Sequence, residues 1–174
     1  MSEGPEASRR LERIQAEQRR VVEELAGAVE SSDPALAELI RKGVPESLHG
    51  AVRWALPHLR AWSRDEDGRL IFEEQGVALL SRIGALYADV LLRNHDFLVW
   101  RVGSDPENPT TYIYQNAPVI GVRRAGEEVD PFAVALNVLR GALRGTRRED
   151  GLLTAYRYWI KDAKRAASKS LGSI

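Results

Sequence analysis

Residues 73–102, EEQGVALLSRIGALYADVLLRNHDFLVWRV, decide the fold. Apolar residues first recur at helical spacing, which predicts a helix from about Glu73 to Asn94. After Asn94 the apolar residues alternate with other residues, which predicts a strand over Phe97–Val102. Small residues also lie along this predicted helix, so other elements can approach it closely. We therefore expect it to be the central helix. Its predicted apolar face is formed by Leu80, Ile83, Tyr87, Val90 and Leu91.

Three helices are predicted before this stretch. The first covers about Pro5 to Glu30. The second has an Asp33-Pro34 start and a Gly43 end, residue types that favour helix caps. The third begins near Pro45 and keeps helical phase across Pro57 to Trp62, so we expect a kinked helix or two short helices in line.

The stretch is followed by a predicted meander and two more helices. A period-two pattern predicts a strand over Thr110–Asn116. Because Pro118 interrupts any central strand, Val119–Arg123 is either a third strand or a bulged continuation of the second. Asp130-Pro131 and Thr146 mark the starts of the last two helices. The sequence therefore predicts a helix-dominated α+β single domain. A small antiparallel meander of about three strands separates its N-terminal helices from two C-terminal helices.

Composition narrows the possible functions. The 174 residues include 25 basic and 25 acidic side chains and no cysteine, so thiol chemistry and the common zinc sites are excluded. The sequence has no motif for a phosphate, nucleotide or metal ligand, so we expect no cofactor and no metal. The N-terminus lacks the apolar region of a secretory signal, and no uninterrupted apolar run is long enough to suggest a membrane span. We expect a cytoplasmic protein.

An apolar seam follows the first helix. Its members Leu11, Ile14, Val21 and Leu25 are spaced by alternating steps of three and four, with Gln18 as a polar member. The remaining positions are mostly Arg, Glu and Gln, so the seam either docks on the body or projects to bind a partner. We therefore separate residues 1–31, an amphipathic helix, from residues 32–174, a compact α+β domain.

A second candidate surface is aromatic. Trp100, Tyr112 and Tyr114 lie on neighbouring predicted strands and could share one face of the sheet. An exposed aromatic face can anchor a partner, whereas a face covered by helices is simply part of the core. Both interpretations remain open.

His95 and Asp96 are the best catalytic candidates, because they lie where the central helix meets the first strand. A carboxylate beside an imidazole raises its basicity, as general base catalysis requires. The simpler interpretation is a helix end, where histidine complements the helix dipole. An enzyme or small-ligand protein is thus an alternative to a binding protein.

The C-terminal part of the chain is basic. The stretch from Arg140 to Lys169 contains nine basic and three acidic residues. Such an excess suits a nucleic-acid accessory protein or an ordinary solvated helix face. The candidate nucleic-acid contacts are Arg147, Arg148, Arg157, Lys161, Lys164 and Arg165.

The region from about Val77 to Leu143 resembles small uncharacterised bacterial domains, some of which occur in toxin-immunity neighbourhoods. The resemblance is carried by LLSRIGALYADVLLRNHDFLVWRV (79–102), TYIYQNAPVIGV (111–122) and VDPFAVALNVLRGAL (129–143). It implies a helix–meander–helix core and assigns no functional residues.

The interpretation we favour from the sequence is a non-enzymatic protein-binding module, such as an adaptor, an immunity-type inhibitor or an assembly subunit. Its contacts are predicted at the helical seam and the aromatic face, with a protein partner or a second copy. No membrane contact is expected.

Overall fold

A computed structural model describes residues 5–59, 62–64, 70–104, 115–123 and 126–171. The elements within these ranges, in chain order, are α1 (Pro5–Glu30), α2 (Pro34–Lys42), α3 (Ser47–His58), β1 (Trp62–Arg64), β2 (Leu70–Phe72), α4 (Glu74–Asn94), β3 (Leu98–Val102), β4 (Pro118–Val122), β5 (Glu128–Val129), α5 (Pro131–Leu143) and α6 (Gly151–Leu171). The helix-dominated α+β fold that the sequence predicts is confirmed.

Helix α4 is the central helix of the fold. It contacts α1, α3, α5 and α6, as well as β2 and β3. Ile83, Leu86, Tyr87 and Leu91 are fully buried along it, so most of its surface lies in the core. By length and composition α4 could cross a membrane, but most of that apolar window is buried inside the fold. Burial of this kind is typical of a core helix.

The predicted helix caps are present in α2 and α5. The carboxylate of Asp33 accepts a hydrogen bond from the Leu36 amide at 2.9 Å, and Gly43 ends α2 with a φ of +65°. The carboxylate of Asp130 accepts from the amides of Phe132 and Ala133 at 2.9 and 3.1 Å. Each carboxylate satisfies helix amides that lack a partner within the helix, which stabilises the start of the helix.

The three-stranded sheet is antiparallel, with β4 between β3 and β5. Trp100 lies opposite Ile120, and Ile120 lies opposite Val129. Every residue of β4 is buried, and both α1 and α6 contact it. Pro118 is the first residue of this central strand, a position where its missing N–H is tolerated.

An ion pair joins the two outer strands of the sheet. Arg101 Nε of β3 lies 2.5 Å from Glu128 Oε1 of β5. The guanidinium lies over Gly121 of β4, where an added Cβ would come within 2.6 Å of Arg101 Cζ. Because Gly121 has no side chain, Arg101 can cross the central strand to reach Glu128.

The prediction for the third helix is wrong at its C-terminal end. It stops at His58 instead of Trp62, with Pro57 in its last turn. Residues 62–64 instead pair with residues 70–72 as antiparallel strands, which the sequence pattern did not predict. Proline lacks the N–H that a continuing helix needs, and here it marks a helix end and not a kink.

Other differences lie at element boundaries. Helix α6 begins at Gly151, five residues later than the predicted Thr146. The short strand β5 was not predicted. Most of the predicted strand Thr110–Asn116 lies outside the described residues, but Gln115 and Asn116 form a turn, with Asn116 at a φ of +60°. A left-handed conformation of this kind is common for asparagine in turns.

Candidate functional site

The C-terminal half of α1 packs into the core. Val22, Leu25, Ala26 and Val29 are all buried, and α1 contacts α2, α4, β3 and β4. The helix therefore lies against the body instead of projecting from it. Leu25 is fully buried, so it cannot touch a partner unless α1 moves away.

A chain of polar contacts fixes the middle of α1 to the body. Trp100 Nε1 of β3 donates to Gln18 Oε1 at 2.7 Å. The amide nitrogen of Gln18 donates to Asp89 Oδ1 of α4 at 3.4 Å. Asp89 is buried, and its Oδ2 lies 2.8 Å from Arg93 Nε. The polar member of the α1 seam is therefore the residue that connects α1 to both the sheet and the central helix.

The N-terminal half of α1 forms one wall of a cleft. None of Leu11, Ile14 and Gln18 is fully buried. The cleft between this half and the body has a volume of about 430 Å³. Residues of α1, α4, β3 and α5 line it, namely Arg10, Arg13, Ile14, Glu17, Gln18, Val21, Ser81, Ala85, Trp100 and Phe132. We call it the α1 cleft.

Phe132 and Trp100 form the aromatic part of this cleft. Their ring centroids lie 6.4 Å apart, with an angle of 23° between the ring planes. Phe132 also packs against Gly84, where an added Cβ would come within 2.5 Å of the phenyl ring. The glycine thus allows the start of α5 to approach α4 closely and brings Phe132 into the cleft.

A second cleft of about 570 Å³ lies between α4, α5 and the β1–β2 hairpin. Its lining consists of Ile71, Phe72, Val77, Leu80, Ser81, Asp130, Phe132, Ala133, Leu136 and Arg140. Ser81 and Phe132 line both clefts, so the two clefts adjoin at these residues, and we call the two together the groove. Within the described part of the chain, four large hydrophobic side chains are exposed, and Ile71 (47%) and Val77 (52%) of the groove are two of them.

The charged groups of the groove are mostly arginines. Two carboxylates also line it, but both have internal partners. Asp130 caps α5, and Glu17 lies within ion-pair distance of Arg13 and Arg20. Arg140 stands over the Phe72 ring, with Cζ 5.7 Å from its centroid. Arg10 forms no ion pair with any described residue, so its charge is available at the α1 end of the groove.

The groove brings together three of the predicted partner-binding residues that are distant in sequence. Ile14, Val21 and Trp100 all line the α1 cleft. Tyr112 and Tyr114 lie outside the described residues. Sequence reasoning missed Phe132 and Ser81. The small residues at Gly84 and Ala85 were the signal of a close approach, but they do not specify which side chain fills the space.

His95 and Asp96 have different hydrogen-bond partners. His95 Nε2 shares a hydrogen bond of 2.9 Å with the Tyr156 hydroxyl, while Asp96 is exposed and offers its backbone carbonyl to Arg123. Burial lowers the pKa of His95, and the nearby charge of Lys164 lowers it further, against the opposite effect of Asp96. Neither residue lines the groove, and both lie just after the C-terminal end of α4.

A buried hydroxyl belongs to Tyr87, a neighbour of Tyr156. Tyr87 is fully buried, and its hydroxyl has no hydrogen-bond partner among the described residues. Burial raises the pKa of Tyr87, as does the neighbouring Tyr156. The phenol therefore stays protonated, and it faces no cleft described above.

The predicted nucleic-acid contacts are all on the surface. Arg147 and Arg148 lie in the turn before α6, and Arg157, Lys161, Lys164 and Arg165 lie on its exposed side. Within the described ranges, no group of three or more His, Asp or Glu side chains is arranged to hold a metal ion.

Comparison with protein-family models, with curated proteins and with solved structures gave no match. Function must therefore be inferred from the geometry of this chain alone.

Proposed function

We propose that this chain is a non-enzymatic protein-binding module whose groove holds an amphipathic helix of a partner protein. The observation that carries the proposal is that two largely apolar clefts adjoin at Ser81 and Phe132. An open apolar groove that leaves Ile71 and Val77 in water is a common site for protein contact. The sequence-based expectation of a binding module thus acquires a specific surface.

The dimensions of the groove suit a helix. Along α4 its floor is formed by Val77, Leu80, Ser81 and Ala85, which share one helical face. Ala85 follows Val77 by eight residue steps, which corresponds to about 12 Å along the helix axis. Two turns of a partner helix cover that length and can present apolar side chains at positions three and four apart.

The charges of the groove indicate which helix fits. The carboxylates of Glu17 and Asp130 are already engaged, whereas Arg10 has no ion-pair partner among the described residues. A partner helix with acidic residues beside its apolar face would complement Arg10. Such pairs at the rim contribute mainly to the association rate and to specificity.

The test compares two exposed hydrophobic positions on the full chain. Val77→Glu places a charge in the groove, and Leu39→Glu places the same charge on α2, where Leu39 is 36% exposed and outside the groove. Each tagged variant is expressed in the native host, and co-purifying proteins are quantified against the unchanged chain. The affinity of a captured partner is then measured with purified proteins. We expect Val77→Glu to weaken binding roughly tenfold or more and Leu39→Glu to leave it unchanged.

Three outcomes would count against the proposal. These are the absence of any stoichiometric partner, equal loss of the partner in both variants, and a partner whose affinity does not respond to Val77→Glu. A homodimer that dissociates only in Val77→Glu would replace the partner helix by a second copy. Deletion of residues 1–31 is not a usable test, because it removes the buried side chains of Leu25 and Val29 from the core.

The biological setting belongs to the same proposal. We assign the module to the bacterial cytoplasm, as an adaptor, an immunity-type inhibitor or an assembly subunit. The absence of cysteine suits a reducing compartment, and the resemblance of residues 77–143 to small bacterial domains suggests the source.

A further inference from the structure

The exposed side of α6 is rich in basic residues. Residues 144–174 contain eight basic and three acidic residues, whereas residues 1–143 contain 17 basic and 22 acidic residues. The whole chain is neutral, but residues 144–174 carry a net charge of +5 (8 − 3) and residues 1–143 a net charge of −5 (17 − 22). Arg157, Lys161 and Lys164 follow one another on the exposed side of α6, over about two helical turns.

Most of these charges are not neutralised within the protein. The described ion pairs of this region are Arg148 with Asp150 at 3.7 Å and Arg165 with Asp162 at 3.5 Å, both near the surface. Within the described ranges, Arg157, Lys161 and Lys164 form no ion pair. Lys164 is nevertheless close enough to His95 to lower the pKa of that histidine.

An exposed aromatic ring lies beside these charges. Tyr158 is 74% exposed, more than any other large hydrophobic side chain in the described ranges. With Arg147, Arg148 and Thr154 it lines a depression of about 540 Å³ at the start of α6. The stem of Arg147 rests on Gly141 of α5, where an added Cβ would come within 2.7 Å of Arg147 Cγ. This contact holds the arginine beside the depression.

The chemistry of this surface matches one class of ligand. Arginine and lysine bind phosphate oxygens, and an exposed aromatic ring offers a stacking platform for a base. The apolar side of α6 is already used in the core, where Leu152, Tyr156 and Ile160 are buried. No apolar helix face is therefore left to enter a membrane, as an interfacial helix would require.

We propose that the α6 face binds single-stranded nucleic acid, with Arg157, Lys161 and Lys164 on the phosphates and a base stacked on Tyr158. A single strand fits better than a duplex because its bases present free ring faces. The ligand is either RNA or DNA, since both offer phosphates and bases. This site shares no residue with the groove and does not depend on the function proposed for it.

The test measures fluorescence anisotropy of labelled oligo(dT) and oligo(U) of about 15 nucleotides with the full chain. Salt is varied between about 50 and 200 mM. The variant Arg157→Gln/Lys161→Gln/Lys164→Gln removes three charges from the α6 face. The matched control Arg9→Gln/Arg19→Gln/Arg53→Gln removes three exposed charges from α1 and α3, and those arginines also have no described ion pair. A duplex of the same length and poly-glutamate are the competitors.

We expect binding that weakens with salt and a preference for single strands over both competitors. The α6 variant should reduce the magnitude of the slope of log affinity against log salt by about 2, because each of the three lost phosphate contacts contributes about 0.7. The control should leave the slope unchanged, and Tyr158→Ala should weaken binding by about fivefold or more without changing the slope. A preference for one of the two oligonucleotides identifies the ligand as RNA or DNA. Absence of binding at the lowest salt, equal loss in the control, or equal competition by poly-glutamate overturns the proposal.

Discussion

Residues 22–30 of α1 belong to the core, whereas residues 10–21 of the same helix form a wall of the α1 cleft. The two halves share one apolar seam, yet Leu25 is fully buried and Ile14 is only partly covered. The difference arises from what lies opposite each half. Burial of an apolar side chain stabilises the fold, while an apolar side chain at an open cleft remains available for binding. One end of the helix is therefore committed to the core, while the other end borders an open cleft.

Truncation of one side chain in each half should separate these roles. Leu25→Ala leaves a cavity in the core, and we expect it to lower the free energy of unfolding by about 2–5 kcal/mol. Ile14→Ala at the cleft should lower it by about 1 kcal/mol or less, since little buried surface is lost. Urea denaturation of the two variants measures both values. Losses of equal size would mean that the halves do not differ.

The boundary between the halves depends on Asp89, which accepts from Gln18 and pairs with Arg93. Asp89→Asn keeps the shape of the side chain but removes the charge, and charge-assisted hydrogen bonds contribute about 1.5–3 kcal/mol. Because part of Arg93 is exposed to solvent, we expect a loss near the lower end of that range. Chemical denaturation at neutral pH measures it. An unchanged free energy of unfolding would show that the polar contacts do not anchor α1.

His95 provides the smallest predicted effect, at the other end of α4 from the groove. The folded state lowers its pKa, chiefly through burial, so the unfolded chain binds the proton more tightly. The free energy of unfolding should therefore fall as the pH drops through the ordinary value of 6.5. The loss should level off below the lowered pKa of the folded state. The effect is small because His95 is partly exposed.

The His95 contribution can be isolated with one substitution. In His95→Gln, the free energy of unfolding should change less than in the unchanged chain between pH about 7.5 and about 5.5. Ile14→Ala should keep the full pH dependence of the free energy of unfolding, because it removes no titratable group. An identical pH dependence with and without His95 would contradict the assignment.

Local sequence signals predicted much of the fold. Asp33, Gly43 and Asp130 identified helix ends because their caps depend on residues within a few positions. The end of α3 was missed because Leu59 and Trp62 keep helical spacing, while the strand at Trp62 depends on pairing with Phe72. The two-residue strand β5 was missed for the same reason, since its partner lies in β4.

The candidate sites were less predictable than the fold. Ile14, Val21 and Trp100 were each proposed as contacts, but on two separate surfaces, and their meeting in one cleft depends on how α1 crosses the body. Phe132 has no local feature that marks it as a site residue. Its place in the groove follows from the packing of α5 on Gly84, which is a tertiary contact.

The charge separation between residues 1–143 and the basic C-terminal part also affects behaviour in solution. In a protein with no net charge, oppositely charged regions of different copies attract one another when few ions are present. Near the sequence pI of 6.9, net repulsion is too weak to oppose this attraction. Added salt screens it within a Debye length of about 8–10 Å. The protein should therefore be salted in: its solubility at neutral pH should rise, not fall, with moderate ionic strength.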